Sequence, residues 1–233
     1  MNTKETLLEQ GITRLRTRLL VMCATVEEAV ANACKALCDG NMKLAREVID
    51  ADEGINNLEN EIDEMALSLI VRSQPVARDL CFIVSALRMV VDLERIGDEA
   101  VQIAESSLLM ENSQRLPDFE LIGKMMSIAQ KALNDSITAF REEDVQLALQ
   151  VCRGKDGSCE QEVRLLQKMM ALLAETASEK NAVGCPALHI TLVARSLSRI
   201  FGRASNIAEH CYFMKQGVSI KHKKAATPDT PGT

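Results

Sequence analysis

The stretch LERIGDEAVQIAE, residues 93–105, recurs as LSRIFGRASNIAE at residues 197–209, which is 104 positions downstream. Seven positions are identical, and they supply the Leu, Ile and Ala skeleton together with one Arg and one Glu. The acids differ, because Glu94 is replaced by Ser198 and Asp98 by Gly202. Positions kept in both copies indicate residues needed for folding. The two carboxylates present only in the first copy are candidates for chemistry.

A second set of matches shows that the repeated unit is much longer than this stretch. Five apolar residues near the start of the chain recur at a spacing of 103. The chain of 233 residues is therefore interpreted as a duplicated unit. The first-copy residues are Ala29, Ala36, Leu44, Ala45 and Val48, and their matches are Ala132, Ala139, Leu147, Ala148 and Val151.

Apolar residues recur at every third or fourth position through most of the chain, which is the period of an amphipathic α-helix. Trp is absent, Tyr occurs once, and Phe and Pro occur five times each, a composition that favours helices over strands. We therefore predict an all-α fold with six helices. The first helix ends before Asp39, and the others cover about 41–73, 76–110, 118–141, 144–177 and 186–215.

The short connections between these long helices predict antiparallel neighbours. Each repeat is then an antiparallel three-helix bundle. We place repeat 1, with the intact acidic motif, at residues 1–112 and repeat 2, with the degenerate motif, at residues 113–217. The remaining residues, 218–233, contain Lys221 to Lys224 and two Thr-Pro steps, and we expect a disordered tail there.

Charge and hydropathy exclude several classes of protein. With 27 basic and 33 acidic residues the net charge is −6, which gives no electrostatic basis for binding nucleic acid. The longest apolar stretch, residues 82–93, is interrupted by Arg88 and Asp92 and is too short to be transmembrane. The chain starts without an apolar leader, so we expect a cytoplasmic protein. Its eight cysteines are then expected to be mostly buried thiols. Cys34 and Cys38 are one helical turn apart, and the alternative to packing is that they share a metal.

The acidic pair of the first repeat has a counterpart on the preceding helix. Glu94 and Asp98 are four residues apart, so their carboxylates share one helix face. If Pro75 marks the turn between helices two and three, Asp52 and Asp98 each lie 23 residues from it, and Asn56 and Glu94 each lie 19. Antiparallel packing then brings both pairs to the same level of one groove. The sequence predicts a cluster formed by Asp52, Asn56, Glu94 and Asp98.

Oxygen-only ligands in a surface groove suit hard cations such as Mg²⁺, Ca²⁺, Mn²⁺ or iron, and the identity of the metal stays open. Glu59 is near enough along helix two to reach in as a flanking ligand, whereas Asp63 is not. The alternative is that the acids hold no metal and only solvate the helix face or pair with Arg95 and Arg88.

The second repeat supplies only half of such a site. Asp156 and Glu160 form one acidic pair, but the opposing positions are Ser198 and Gly202. We expect no second metal site of equal quality there.

The chain resembles the PhoU family of phosphate-signalling regulators over about residues 5–217. The resemblance rests on the segments QPVARDL at 74–80 and DLERIGD at 92–98, on the acidic segment at 52–59, and on the duplicated ARSLSRI at 194–200. The acid-x-x-x-Asp spacing alone is a weak signal. Its place in a duplicated three-helix unit next to the Gln-Pro-x-Ala-x-Asp turn is a strong one.

The resemblance implies two three-helix bundles, often in a homodimer, with metal clusters at paired acid-x-x-x-acid motifs. It also implies a cytosolic adaptor between the ATPase subunit of the phosphate ABC transporter and a sensor histidine kinase. Such an adaptor restrains phosphate-starvation signalling when phosphate is plentiful. Asn56 and the half-present second pair depart from the family pattern, which leaves open whether this copy is a specialised paralogue.

Two other interpretations remain. A carboxylate-metal enzyme of the ferritin-like kind needs Glu-x-x-His pairs inside the bundle, and His189, His210 and His222 lack that spacing. We therefore predict that the protein is not an enzyme, and we interpret His210 as an ordinary surface residue. A helical scaffold that binds another partner through an exposed groove, with or without metal, is the main alternative.

Overall fold

The computed structural model describes residues 3–110, 119–154, 163–164, 167 and 184–220. Within these residues the chain forms six helices and no strand, which confirms the predicted fold class. The helices are α1 (Thr3–Asp39), α2 (Met42–Ser73), α3 (Ala77–Leu109), α4 (Phe119–Glu142), α5 (Val145–Arg153) and α6 (Gly184–Gln216).

The predicted boundaries agree with these helices to within about two residues where both can be compared. The exception is the fifth helix, predicted over 144–177, because α5 ends at Arg153. The rest of that prediction lies almost wholly outside the described residues. So do the proposed boundary between repeats at 112–113 and the tail beyond residue 220.

Local sequence sets the helix ends. The side chain of Asn41 accepts a hydrogen bond from the backbone N–H of Leu44 and so caps α2. Asp144 caps α5 in the same way, accepting from the N–H groups of Gln146 and Leu147. Between α2 and α3, Gln74 has a left-handed φ of 49° and donates its N–H to the carbonyl of Ile70, which closes the helix end and turns the chain at Pro75.

The two bundles share one core. Helices α1, α2 and α3 pack together as the first bundle, and α4 and α5 pack against α6 as the second. Buried Leu, Ile, Val, Met and Ala side chains form one continuous cluster through both bundles. Across the part of the chain that the structure describes, no helix combines the length and the apolar run needed to cross a bilayer.

The bundles are joined mainly by the third helix of each repeat, α3 against α6. Ser85 contacts His210, Asp92 contacts Arg203, and Glu99 contacts Arg199, so the partner number falls as the α3 number rises. The two helices are therefore antiparallel. Since they are equivalent helices of the two repeats, the repeats face each other about an approximate two-fold axis.

Candidate functional site

The predicted acidic cluster lies where α2 and α3 pack side by side. Asp52 is half-buried, and its Oδ2 accepts a hydrogen bond of 3.2 Å from Nδ2 of Asn56 one turn away. Its Oδ1 is buried and has no hydrogen-bond partner among the residues that the structure describes. Gly97 faces this oxygen across the groove, because a Cβ added to Gly97 would lie 3.5 Å from Asp52 Oδ1 and 3.0 Å from Cδ1 of Ile55. The missing side chain at position 97 is what lets the two helices and the carboxylate approach.

Glu94 and Asp98 flank Gly97 on α3. The Glu94 side chain is 17% exposed and that of Asp98 is 43% exposed. Arg95 pairs with both, its Nε lying 3.3 Å from Glu94 Oε2 and its Nη1 lying 3.2 Å from Asp98 Oδ2. The pairing with Arg95 considered from the sequence is therefore present. Arg88 instead lies over the ring of Phe213, with its guanidinium carbon 5.2 Å from the ring centre.

The four acids of this region repel one another. Burial raises the pKa of Glu94, and the neighbouring charges of Asp98, Glu59 and Asp52 raise it further, against the opposing effect of Arg95. Burial likewise raises the pKa of Asp52, a shift that the hydrogen bond from Asn56 reduces and the charge of Asp98 increases. One guanidinium therefore offsets several like charges, and a bound cation would relieve the remaining repulsion.

Glu59 belongs to the same electrostatic group. Burial raises its pKa, and so do the charges of Asp63 and Asp98, while Arg95 lowers it. For Asp63, by contrast, burial is the only cause of the raised pKa. Glu59 is thus electrostatically coupled to the α3 acids of the cluster, and the charge of Asp63 acts on Glu59.

These residues fit a hard cation in their chemistry. They supply carboxylate and amide oxygens, and the unsatisfied buried Oδ1 of Asp52 is a group that a cation would satisfy. A pocket of about 260 Å³ opens beside it between α1, α2 and α3, lined by Asp52, Gly97 and Glu28 among others. Within the described residues, however, no three His, Cys, Asp or Glu side chains gather closely enough to hold one ion. Metal binding here stays a prediction.

The second repeat is different at the equivalent level. Phe201 takes the place of Gly97, and its ring is buried, 5% exposed. A Cβ added to Gly154, at the end of α5, would lie 3.4 Å from Cζ of Phe201. An aromatic ring therefore packs where the first repeat has its groove, and Ser198 and Gly202 add no carboxylate. Asp156 and Glu160 lie outside the described residues.

A second polar cluster was not predicted from the sequence. Asp92 on α3 is buried, with its side chain 7% exposed. Its Oδ1 accepts hydrogen bonds of 3.1 Å from Arg203 Nη1 and from Asn206 Nδ2, and its Oδ2 lies 3.2 Å from His210 Nε2. All three partners lie on α6. One carboxylate of repeat 1 thus holds three side chains of repeat 2.

The surroundings of Asp92 favour its charged form. Burial raises its pKa, but the hydrogen bonds from His210, Asn206 and Arg203 together outweigh burial and bring the pKa below its usual value. The interpretation of His210 as a surface residue was wrong, since its side chain is only 14% exposed and contacts Asp92. The feature of the sequence that indicates this cluster is an acidic residue at a position of the helical pattern that is otherwise apolar. Asp92 shares the stripe of Met89, Ile96 and Ala100 that points into the protein.

Of the six cysteines that the structure describes, three are buried, Cys81 and Cys152 are half-buried and Cys38 is exposed, so fewer thiols are buried than predicted. Cys23, Cys34 and Cys211 are buried, and burial raises the pKa of Cys23 and of Cys34 to about 12. Cys38 is exposed, which corrects the prediction of a buried thiol there. Its Sγ lies 3.6 Å from Sδ of Met126, a contact between the two repeats.

Comparison with known proteins finds one family model that matches the chain twice. The model describes the PhoU domain, and it matches residues 19–107 and 122–211. The two matches fall on the two repeats. Each match extends into the third helix of its repeat and includes the Ile-Ala-Glu segment there, at residues 103–105 and 207–209.

Curated relatives match over most of their length. A phosphate-specific transport system accessory protein PhoU homolog of Pseudomonas aeruginosa is 34% identical over 210 residues, covering 89% of this chain and 85% of the relative. Homolog 1 of Thermotoga maritima is 32% identical, covering 91% of this chain and 90% of the relative. The PhoU protein of Escherichia coli is 28% identical over 209 residues, covering 89% and 85%.

Solved structures give the same fold. The crystal structure of PhoU from Pseudomonas aeruginosa superposes with a TM-score of 0.85 at 32% identity, covering 90% of this chain and 99% of that one. The phosphate transport system regulatory protein PhoU from Streptococcus pneumoniae superposes with a TM-score of 0.82 at 21% identity, covering 91% and 99%. The second likeness concerns the fold alone.

Proposed function

The chain belongs to the PhoU family, and from that premise we propose that it is the accessory protein of a phosphate-specific transport system. The observation that carries the proposal is the match of the family to both repeats, together with relatives of that description over about nine-tenths of the chain. The family is one of accessory and regulatory proteins, and the chain is accordingly not an enzyme.

We further propose the more specific role that the sequence resemblance implies. The protein is a cytoplasmic adaptor that binds the ATPase subunit of the phosphate ABC transporter and a sensor histidine kinase, and it restrains phosphate-starvation signalling when phosphate is plentiful. We also propose that it acts as a homodimer. An adaptor needs surface and rigidity more than a reaction centre, and a molecule of packed long helices supplies both.

The adaptor role predicts a specific physical association. Tagged full-length protein isolated from its own cells in phosphate-rich medium should retain the ATPase subunit of the phosphate transporter, detected by mass spectrometry. The ATPase subunits of other ABC transporters in the same cells are the control and should stay at background. Loss of the protein should also raise expression of a phosphate-starvation reporter in that medium. No enrichment and an unchanged reporter would contradict the role.

We propose, in addition, that Asp52, Asn56, Glu94 and Asp98 hold a divalent or trivalent metal, with Glu59 at the flank. The support is the buried Oδ1 of Asp52 without a partner and the mutual repulsion of the acids. A bound cation would neutralise these charges and tie α2 to α3 at Gly97. The metal proposal is separate from the adaptor role, and either can fail alone.

We expect Glu94→Gln to weaken Mn²⁺ binding by roughly tenfold or more, since even residues that only support metal ligands contribute that much. Titration of the purified chain with Mn²⁺ followed by EPR measures the affinity. In the absence of metal, the free energy of unfolding of the variant should be at least that of the parent, because the variant removes one charge from a group of like charges. Glu64→Gln, which changes an exposed acid elsewhere on α2, is the control. Equal affinity in both variants would rule out the site.

A further inference from the structure

A second pocket, whose lining differs from that of the acidic cluster, contains three basic side chains. It has a volume of about 240 Å³, and it lies where α1, the start of α3, the α4–α5 turn and the end of α6 meet. Arg16, Arg78 and Lys215 line it together with two acids, Asp79 and Glu143. The pocket therefore carries a local excess of positive charge, although the whole chain has a net charge of −6.

Glu143 is the common partner of the three cations. Its Oε1 lies 2.8 Å from Nη2 of Arg16, its Oε2 lies 3.6 Å from Nη2 of Arg78, and Oε2 also accepts a hydrogen bond from Nζ of Lys215. The hydrogen bond from Lys215, opposed by burial and reinforced by Arg16, lowers the pKa of this carboxyl. One carboxylate therefore pairs with three cations from three helices. The two guanidinium groups and the ammonium group have more N–H donors than this carboxylate can accept, so a second anion could bind the others.

Glu143 lies in the turn between α4 and α5, where the backbone takes a left-handed conformation. Its φ is +58°, the left-handed region that non-glycine residues rarely adopt. The residue stands between α4 and α5, a position where glycine is the usual choice. Its carboxylate contacts Arg16, Arg78 and Lys215. The Glu143 carboxylate is therefore an anion of the protein itself that occupies the pocket.

The cations are pre-positioned by packing. The guanidinium carbon of Arg16 lies 4.8 Å from the ring centre of Phe82 and 5.6 Å from that of Phe140, and the two rings are stacked. The Arg16 side chain is only 30% exposed and that of Lys215 only 25%, while Arg78 is 76% exposed. Arg16 and Lys215 are therefore partly desolvated, whereas Arg78 lies at the exposed edge of the pocket. Charge-assisted hydrogen bonds are strongest in such a setting.

We propose that this pocket binds a compact oxyanion, with inorganic phosphate as its simplest form, in place of the Glu143 carboxylate. The planar guanidinium groups and the ammonium group match the geometry and charge of phosphate oxygens. The volume of about 240 Å³ is enough for a phosphate group and several water molecules. On binding, the Glu143 side chain gives up its partners and turns toward solvent, so the anion and Glu143 compete.

The inference stands apart from the transport role, since it rests only on the geometry of Arg16, Arg78, Lys215 and Glu143. Failure to bind phosphate would leave the adaptor role untouched. Failure to associate with a transporter would leave the pocket untouched. The two proposals are therefore tested by separate measurements.

The test is a titration of the full chain with inorganic phosphate at constant ionic strength, followed by ³¹P NMR. Wild type should saturate at phosphate concentrations on the order of millimolar, since Glu143 competes. Arg78→Gln should bind about fivefold more weakly, because an exposed charged partner contributes modestly. Glu143→Gln should bind about fivefold more tightly, because it removes the competing charge while keeping the side chain's size. The opposite directions of the two changes are the signature of the pocket.

Arg46→Gln is the matched control, because Arg46 is an exposed arginine on α2 outside the pocket. Circular dichroism checks that each variant is folded. Because Arg78 is exposed, its substitution should leave the fold intact. Three outcomes would overturn the proposal. They are a wild type that does not saturate up to about 20 mM phosphate, an Arg78→Gln chain that binds as well as wild type, and an Arg46→Gln chain that loses as much affinity as Arg78→Gln.

Discussion

Asp92→Ala is expected to lower the free energy of unfolding by about 3 kcal/mol, the cost of removing one partner from a buried charged group. The substitution leaves Arg203, Asn206 and His210 without their acceptor at the contact between α3 and α6. Arg203 is 41% exposed and can turn to water, so the loss lies at the lower end of the range for buried pairs. Urea denaturation followed by circular dichroism measures it.

Two further variants separate the charge network from other causes. Asp50→Ala, at an exposed position of α2, should change the free energy of unfolding by less than about 0.5 kcal/mol. Asp92→Asn keeps the size and one acceptor, so its loss should fall between the other two. An Asp92→Ala chain as stable as the parent would mean that the network between the repeats contributes nothing to stability. Apolar packing alone would then hold α3 against α6.

The stability of this contact matters because it fixes the two repeats relative to each other. Asp92, Glu99 and Ser85 each reach a partner on α6, and Asn134 on α4 donates to Glu27 on α1. Polar pairs of this kind specify one register between two otherwise similar apolar helices. We expect Asp92→Ala to weaken the coupling between the bundles as well as the total stability.

The sequence was enough to predict the helical fold and the level of the acidic groove. Both predictions need only local information, because each residue of a helix adds a constant rise. The turn at Pro75 sets the position from which the antiparallel helices α2 and α3 are counted. Counting from that proline placed Asp52 opposite Asp98, and the structure places Asp52 against Gly97, one residue away. No residue inside α2 or α3 breaks the helical period, so the counting error stays small.

The Asp92 network could not be predicted in the same way. A helical pattern shows which face of α3 is buried, but it does not show which residues of another helix meet that face. Asp92 and its partner His210 are 118 residues apart. The side-chain positions in the acidic cluster were also beyond the sequence, since they depend on Arg95 pairing with Glu94 and Asp98 and on Asn56 bonding to Asp52.

The comparison of the two repeats explains why only one acidic groove is expected. In repeat 1 a glycine at position 97 leaves space for a carboxylate between α2 and α3. In repeat 2 the equivalent residue is Phe201, whose ring is buried against Gly154. The replacement of Glu94 by Ser198 and of Asp98 by Gly202 accompanies that change. Repeat 2 has therefore gained apolar packing at the level where repeat 1 keeps unsatisfied charge.

This contrast leads to the second large expected effect. Phe201→Ala should lower the free energy of unfolding by about 3 kcal/mol or more, because it removes a buried ring and leaves a cavity at the α5–α6 contact. Thermal and urea unfolding both measure the loss. Leu192→Ala, which truncates a 40% exposed side chain on the same helix, is the control and should cost much less. The metal stoichiometry of the folded variant should stay that of the parent.

Glu94→Gln should show the reverse pattern, with weaker metal binding and no loss of stability. The two substitutions therefore distinguish two roles of the third helix in each repeat. Phe201 contributes to apolar packing, and Glu94 contributes charge to the acidic cluster. A Phe201→Ala chain with parental stability would show that the ring does not fill the second groove. A Phe201→Ala chain that binds one additional metal ion would show that the ring had been blocking a second, complete site, contrary to the absence of carboxylates at Ser198 and Gly202.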